Sequence, residues 1–195
     1  YAFIILPKIQ RKAIYATYAF CRQTDDYTDS NLPIVEKTRL LRQLHAELNQ
    51  SYEGEASSPI FAALQDTAQR FNIPKEYFEE IITGVEMDLT INRYQTFQDL
   101  YQYCYKVASV VGLICLEIFG YTDPKAKIYA IDMGIAMQLT NIIRDVKEDS
   151  TRGRIYIPQD ELEEYGYRPE DLISQKDTPD FRALMAKQVT RAKSY

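Results

Sequence analysis

The chain has 195 residues, enough for one domain with a substantial core, and its 46% hydrophobic and 26% charged residues exclude both a disordered and a fibrous polypeptide. Lys and Arg total 23 against 28 Asp and Glu, a formal charge of −5 that argues against a nucleic-acid partner held by a basic surface. The 16 tyrosines without any tryptophan are unusual, and three unpaired-looking cysteines, Cys21, Cys104 and Cys115, in apolar or aromatic surroundings point to buried, reduced thiols and a cytoplasmic setting.

The opening run YAFIILP is short and lacks a basic leader and cleavage site, so no secretory signal is expected there. From residue 8 almost every segment reads as helix. The first, at 8–29, carries CRQTDDYTDS at its end. Tyr18, Arg22, Asp25 and Asp29 are spaced by four, three and four and fall within roughly 60° of one another on a helix, while Asp26 lies about 100° away. A second helix at 33–50 bears the single histidine, His45, on a polar face. One histidine excludes an HExxH site, a Cys/His zinc set and a serine-histidine triad.

SYEGEASS, at 51–58, is a loop, followed by a helix at 59–71 with Ser58 as its cap and Pro59 in its first turn, and another at 75–90. The helix at 97–119 begins with a capping box, Thr96 with Asp99, and stops at Gly120. Tyr101, Tyr103 and Tyr105 precede its apolar half, where Ala108, Ser109 and Gly112 leave space and Val107, Val111 and Leu116 offer apolar surface. Such a segment is either a central core helix or the wall of a hydrocarbon cavity. Its longest apolar run, VASVVGLICL, has ten residues, too few to span a bilayer.

A helix at 124–149, with Asp123 as its expected cap, carries the second acidic stripe. Gln138, Asn141, Asp145 and Asp149, at steps of three, four and four, fall within roughly 80°. TRGRIYIP, at 151–158, is extended, and helices at 159–165 and 179–194 follow. Long helices with short connections predict one all-α bundle.

Acids at spacing four also mark solvated faces, and like charges so placed destabilise a helix. Two such stripes with amide oxygens, and no histidine or thiolate among them, suit a hard cation such as Mg²⁺, with Mn²⁺ as a substitute. Two or three ions between facing stripes, with Arg22, Arg144, Lys147, Arg152 and Arg154 beside them in sequence, would hold a diphosphate leaving group.

Three motifs in order carry a resemblance. YAFIILPKIQRKAIYATYAFCRQTDDYTD, YQYCYKVASVVG and MGIAMQLTNIIRDVKEDSTRGRIYIPQDEL resemble the signatures of the squalene and phytoene synthase family, the head-to-head prenyl synthases. The resemblance implies an isoprenoid-synthase-type helical bundle around a central hydrophobic cavity. It implies Mg²⁺ ligands at Asp25 and Asp29 on one helix and Asn141, Asp145 and Asp149 on the other. It places Tyr18, Arg22, Gln138 and Arg144 close to the diphosphates of two prenyl substrates, and gives Tyr103 a part in the chemistry of a cyclopropyl intermediate. Val107, Val111 and Gly112 are then expected to line the prenyl site.

Within the family, the RGRIYIPQDEL loop is similar to that of bacterial phytoene synthases, which join two geranylgeranyl diphosphates without a nicotinamide reductant. A C30 enzyme using farnesyl diphosphate is the alternative, and a non-catalytic assembly module is a third reading that would go with eroded acids. Relative to the family pattern, an N-terminal segment and the last helices are expected to be missing from residues 1–195. The water-insoluble product implies peripheral membrane contact for its release. Oligomeric state is open.

Overall fold

The computed structural model describes residues 2–195. Tyr1, with which the first motif begins, lies outside the described residues. Ten α-helices and no strand are found among the described residues: α1 (Lys8–Asp29), α2 (Ile34–Glu53), α3 (Pro59–Phe71), α4 (Lys75–Thr90), α5 (Phe97–Cys104), α6 (Val110–Phe119), α7 (Ala126–Thr151), α8 (Gln159–Glu164), α9 (Pro169–Ile173) and α10 (Pro179–Ser194). A short 3₁₀ turn, Ala2–Ile5, precedes α1.

Two cores hold the bundle. In the first, the buried face of α1 meets α2, α3, α4 and α6, centred on Phe20, whose ring packs edge-on against Phe61 and Phe78 at 6.2 and 5.2 Å between centroids. In the second, Ile135, Leu139 and Ile142 of α7 pack with Leu100 and Tyr103 of α5, Ile155 and Ile157, and Leu162, Leu172 and Leu184 from α8 to α10. Each set recurs at three- or four-residue steps, the spacing of one helix face.

The predicted helices are present, with differences at their ends. Ser58 accepts from the Phe61 N–H, and Thr96 and Asp99 form the capping box. Asp123 instead accepts from the Lys125 N–H in a turn, and α7 starts at Ala126 and runs to Thr151. The α2 helix continues to Glu53 and ends at Gly54, whose φ of +97° is one that glycine tolerates, so the loop is shorter than expected. The short α9 helix was not foreseen. Cys104 is buried, but Cys21 and Cys115 are only partly so.

The helix predicted at 97–119 is continuous but not uniform. Between α5 and α6, Tyr105–Ser109 form a π-turn in which the Val110 N–H reaches back five residues to the Tyr105 carbonyl. Lys106 at this turn is ion-paired with Glu80 of α4. The combined Phe97–Phe119 segment, 23 residues, is long and apolar enough to cross a bilayer, a length that the ten-residue apolar run did not convey. In the bundle this helix packs on α4 and α7.

On α7, Gly134 abuts the Ser109 backbone, where a Cβ would collide with Ser109 Cα, and Ser109 Oγ donates to the Ile131 carbonyl at 2.7 Å. The extended segment after α7 is pinned by Ile155 N–H to Asn92 O at 3.1 Å and Gln159 N–H to Tyr94 O at 2.9 Å. Alternation along it sends Ile155 and Ile157 into the second core and turns Arg154 and Tyr156 toward the seam between the two cores.

Candidate active site

That seam opens into a cavity of about 490 Å³. From α1 it receives Asp25 and Asp29, and from α7 Gln138, Asn141, Arg144, Asp145 and Asp149, so the two acidic stripes line one space. Tyr103 of α5, Val107 of the π-turn and Val111 of α6 also line it, as do Arg152 and Arg154 after α7.

A second, open apolar pocket of about 500 Å³ lies along α6 and α7 and contains Gly112. Val107, Val111, Gln138 and Asn141 border both cavities, so the acidic space and the apolar one share a wall. Gly112 has a further part: a Cβ there would stand 2.9 Å from the Ala130 carbonyl oxygen, so the residue lets α6 lie against α7.

Three residues expected near the diphosphates are not brought to the cavity wall. Tyr18, on the same α1 stripe as Asp25 and Asp29, is 65% exposed and outside the cavity lining. Arg22 turns along its own helix to Asp26, at 2.8 Å, with its side chain 61% exposed. Lys147 falls outside as well, beside Tyr167 and Phe181 in a smaller pocket. His45 is on the surface, 3.5 Å from Glu79.

Sequence reasoning missed Asp88 and Tyr156. Asp88 lies on the buried stripe of α4 after Phe78, Ile81 and Val85, and accepts from the Tyr103 phenol at 2.9 Å and the Tyr156 phenol at 2.8 Å. The two phenol rings are stacked, with centroids 5.2 Å apart, and Tyr94 packs on both. An acid in phase with an apolar helix face was the available signal. Arg154 donates to the Asp88 backbone carbonyl at 3.3 Å, which seats the guanidinium in the same wall.

The electrostatics are those of a site short of positive charge. Burial, then the neighbouring Asp29, pushes the Asp25 carboxyl up to about 6. Burial, then Asp145, does the same for Asp149, also to about 6. Burial lifts Asp88 above its ordinary value even though both phenols and Arg154 pull the other way. Asp145 is the exception, held low by the Arg144 guanidinium bonded to it at 2.6 and 2.7 Å.

Among the described residues no three His, Cys, Asp or Glu side chains converge tightly enough to enclose a metal by themselves. The donor set nevertheless fits a magnesium-type ion. It is all oxygen, it is spread across two helices, and its crowded carboxylates would be relieved by a cation that completes its shell with water and phosphate oxygens.

Facing acidic helices above an apolar groove in an all-α bundle define the isoprenoid-synthase type of protein. The squalene/phytoene synthase family model matches residues 1–195, and the chain belongs to that family. It is similar to phytoene synthase 1 of Arabidopsis thaliana, 41% identical over 98% of this chain and 47% of the relative. It is also similar to 15-cis-phytoene synthase of Synechococcus elongatus, 38% identical over 98% of this chain and 66% of the relative. The chain thus spans about half to two thirds of these curated relatives. Among solved structures it superposes on squalene synthase HpnC of Alicyclobacillus acidocaldarius with a TM-score of 0.92, at 33% identity over 98% of this chain and 72% of the other. A ligand-bound dehydrosqualene synthase gives 0.88, at 34% identity over 99% and 67%.

Proposed function

We propose that the protein is a metal-dependent prenyltransferase that joins two geranylgeranyl diphosphates head to head through a cyclopropylcarbinyl diphosphate to phytoene. The observation that carries this reading is that the acidic and apolar cavities adjoin along a shared wall. A single substrate needs an anion site for its diphosphate and an apolar channel for its tail, and here they share a border at Val107, Val111, Gln138 and Asn141. The names of the relatives at 38–41% identity support the C40 product.

Asp25 and Asp29 on α1, with Asn141, Asp145 and Asp149 on α7, would hold two or three Mg²⁺ ions, with Mn²⁺ as a substitute. Bound there, the ions would neutralise the charge that develops on each departing diphosphate. Arg144, Arg152 and Arg154 offer guanidinium donors to the same oxygens. Arg22 and Tyr18, on the α1 stripe but outside the cavity lining, would serve the diphosphates by turning toward it. Tyr103 and Tyr156, held on the Asp88 carboxylate, give the wall an electron-rich surface beside the reacting carbons, where a carbocation is stabilised by ring and anion together.

In the balance of the reaction, two diphosphates leave, a C–C bond joins the two first carbons, and two protons are lost, one on closing the cyclopropane and one on forming the central double bond. No nicotinamide enters that balance. We read the protein as non-membrane-spanning, meeting a bilayer peripherally when the hydrocarbon is released. The reading is tested by incubating the full-length protein with Mg²⁺ and either farnesyl or geranylgeranyl diphosphate and weighing the product by mass spectrometry. A C40 hydrocarbon is expected, and a C30 product alone would overturn the phytoene assignment in favour of a farnesyl-using enzyme.

A further inference from the structure

Arg93 lies in the segment between α4 and α5 and does not line the acidic cavity, yet its guanidinium reaches the loop that supplies Arg152 and Arg154 to it. Its Nη1 donates to the Gly153 carbonyl at 2.6 Å, across 60 residues of sequence, and to the Asn92 carbonyl at 2.7 Å. The backbones of the same two segments are paired as well, with the Ile155 N–H on the Asn92 carbonyl at 3.1 Å and Arg93 bridged in parallel to Ile155. We propose, building on the diphosphate-binding part of the reading above, that Arg93 is a positioning residue: by holding the Gly153 carbonyl it aims the Arg154 guanidinium at a bound diphosphate.

The link between them is one peptide unit. The Gly153 carbonyl and the Arg154 N–H belong to the same planar group, whose two ends turn together. Arg93 holds the carbonyl end, and the N–H end donates to the Asp149 carbonyl at 2.9 Å. Arg93 is thereby tied both to the last acid of the α7 stripe and to the backbone that carries Arg154. The Arg154 side chain then seats itself on the Asp88 carbonyl at 3.3 Å.

Little else holds that peptide. Gly153 stands at φ +81°, a region that glycine enters and leaves at small cost. Nothing lies within 4 Å of where its Cβ would be, so packing on that side does not fix the turn. A diphosphate entering among crowded carboxylates is held best by a guanidinium fork that already points at it, because a fork that must first be ordered binds more weakly. Arg93 supplies that order from outside the site, and its partly exposed side chain can be replaced with little loss of core.

The test uses the full-length protein with Mg²⁺. The probes are inorganic pyrophosphate, read by calorimetry, and farnesyl or geranylgeranyl diphosphate, whichever the wild type turns over, read by steady-state kinetics beside thermal melts. Arg93→Met keeps an apolar stem and removes every donor. It is expected to weaken pyrophosphate binding and to raise KM about tenfold each, with kcat changed by less than about threefold and Arg93→Lys recovering part of the loss. Because the effect passes through Arg154, adding Arg93→Met to Arg154→Ala is expected to weaken pyrophosphate binding by less than about twofold more. A wild type that binds pyrophosphate while Arg93→Met stays within about twofold of it would overturn the positioning role alone, as would two substitutions whose effects multiply in full. A lower melting temperature and kcat at unchanged pyrophosphate affinity would make Arg93 a purely structural residue and overturn the role too. A wild type that binds no pyrophosphate in Mg²⁺ would overturn the diphosphate reading and the role of Arg93 with it.

Discussion

The Tyr103 phenol donates to a carboxylate oxygen of Asp88 at 2.9 Å, joining α5 to α4 at the wall of the acidic cavity. Because Tyr156 donates to the other oxygen at 2.8 Å, each phenol is held by the same anion. Tyr103→Phe removes one donor and leaves a buried carboxylate oxygen unsatisfied. A loss of roughly 10²-fold in kcat is expected, with KM little changed, since the effect belongs to charge developing in the transition state. Asp88→Asn is expected to lower kcat similarly while leaving or raising the melting temperature, because burial already penalises the ionised acid. Steady-state kinetics beside thermal melts check both.

Asp25 and Asp149 link the site to stability. Each titrates at about 6 in the folded chain against an ordinary 3.8, so between those values the folded state keeps protons that the unfolded chain has released. Their contribution to stability is complete below the unfolded value and is lost as pH rises through about 6. In metal-free protein, Asp25→Asn and Asp149→Asn are expected to melt higher than the wild type at pH 7 and to show no such advantage at pH 4. Calorimetry across that window decides it; variants no more stable than the wild type at pH 7 would contradict the assignment.

Metal dependence should carry the same signature. Chelation is expected to stop turnover, and Mg²⁺ to restore it. The Mg²⁺ concentration for half activation is expected to rise as pH falls below about 6, because the ion must displace the protons of Asp25 and Asp149. Activation curves at several pH values provide the measurement.

Gly134→Ala tests the helix contact behind the site. In an exposed helix this change gains about 1 kcal/mol, but here the new Cβ meets the Ser109 backbone. A net destabilisation of about 1–3 kcal/mol is expected, read from urea unfolding.

The acidic stripes were legible because helical phase converts sequence spacing into a face, and Asp25, Asp29, Asn141, Asp145 and Asp149 do line one cavity. Phase does not say how a long side chain turns. Arg22 shares the stripe of Asp25 yet reaches along the helix to Asp26. Asp88 was illegible for a different reason: its partners lie 15 and 68 residues away, a relation that only tertiary packing creates. The same holds for Tyr156, whose direction follows from pairing of its extended segment with residues 92–95.

The π-turn at Tyr105–Ser109 leaves the chain one residue richer than a regular helix of that length would need. Upstream of it Tyr103 serves the acidic cavity, and downstream Val111, Cys115 and Phe119 serve the apolar one. Removing a residue there would let the turn close as ordinary α-helix with its two halves still in phase, whereas a residue removed from either regular half would swing the remainder by about 100°. In that second case every side chain would keep its identity while the acidic wall and the apolar groove parted company, so in this molecule the spacing between motifs is as much a functional element as the motifs are.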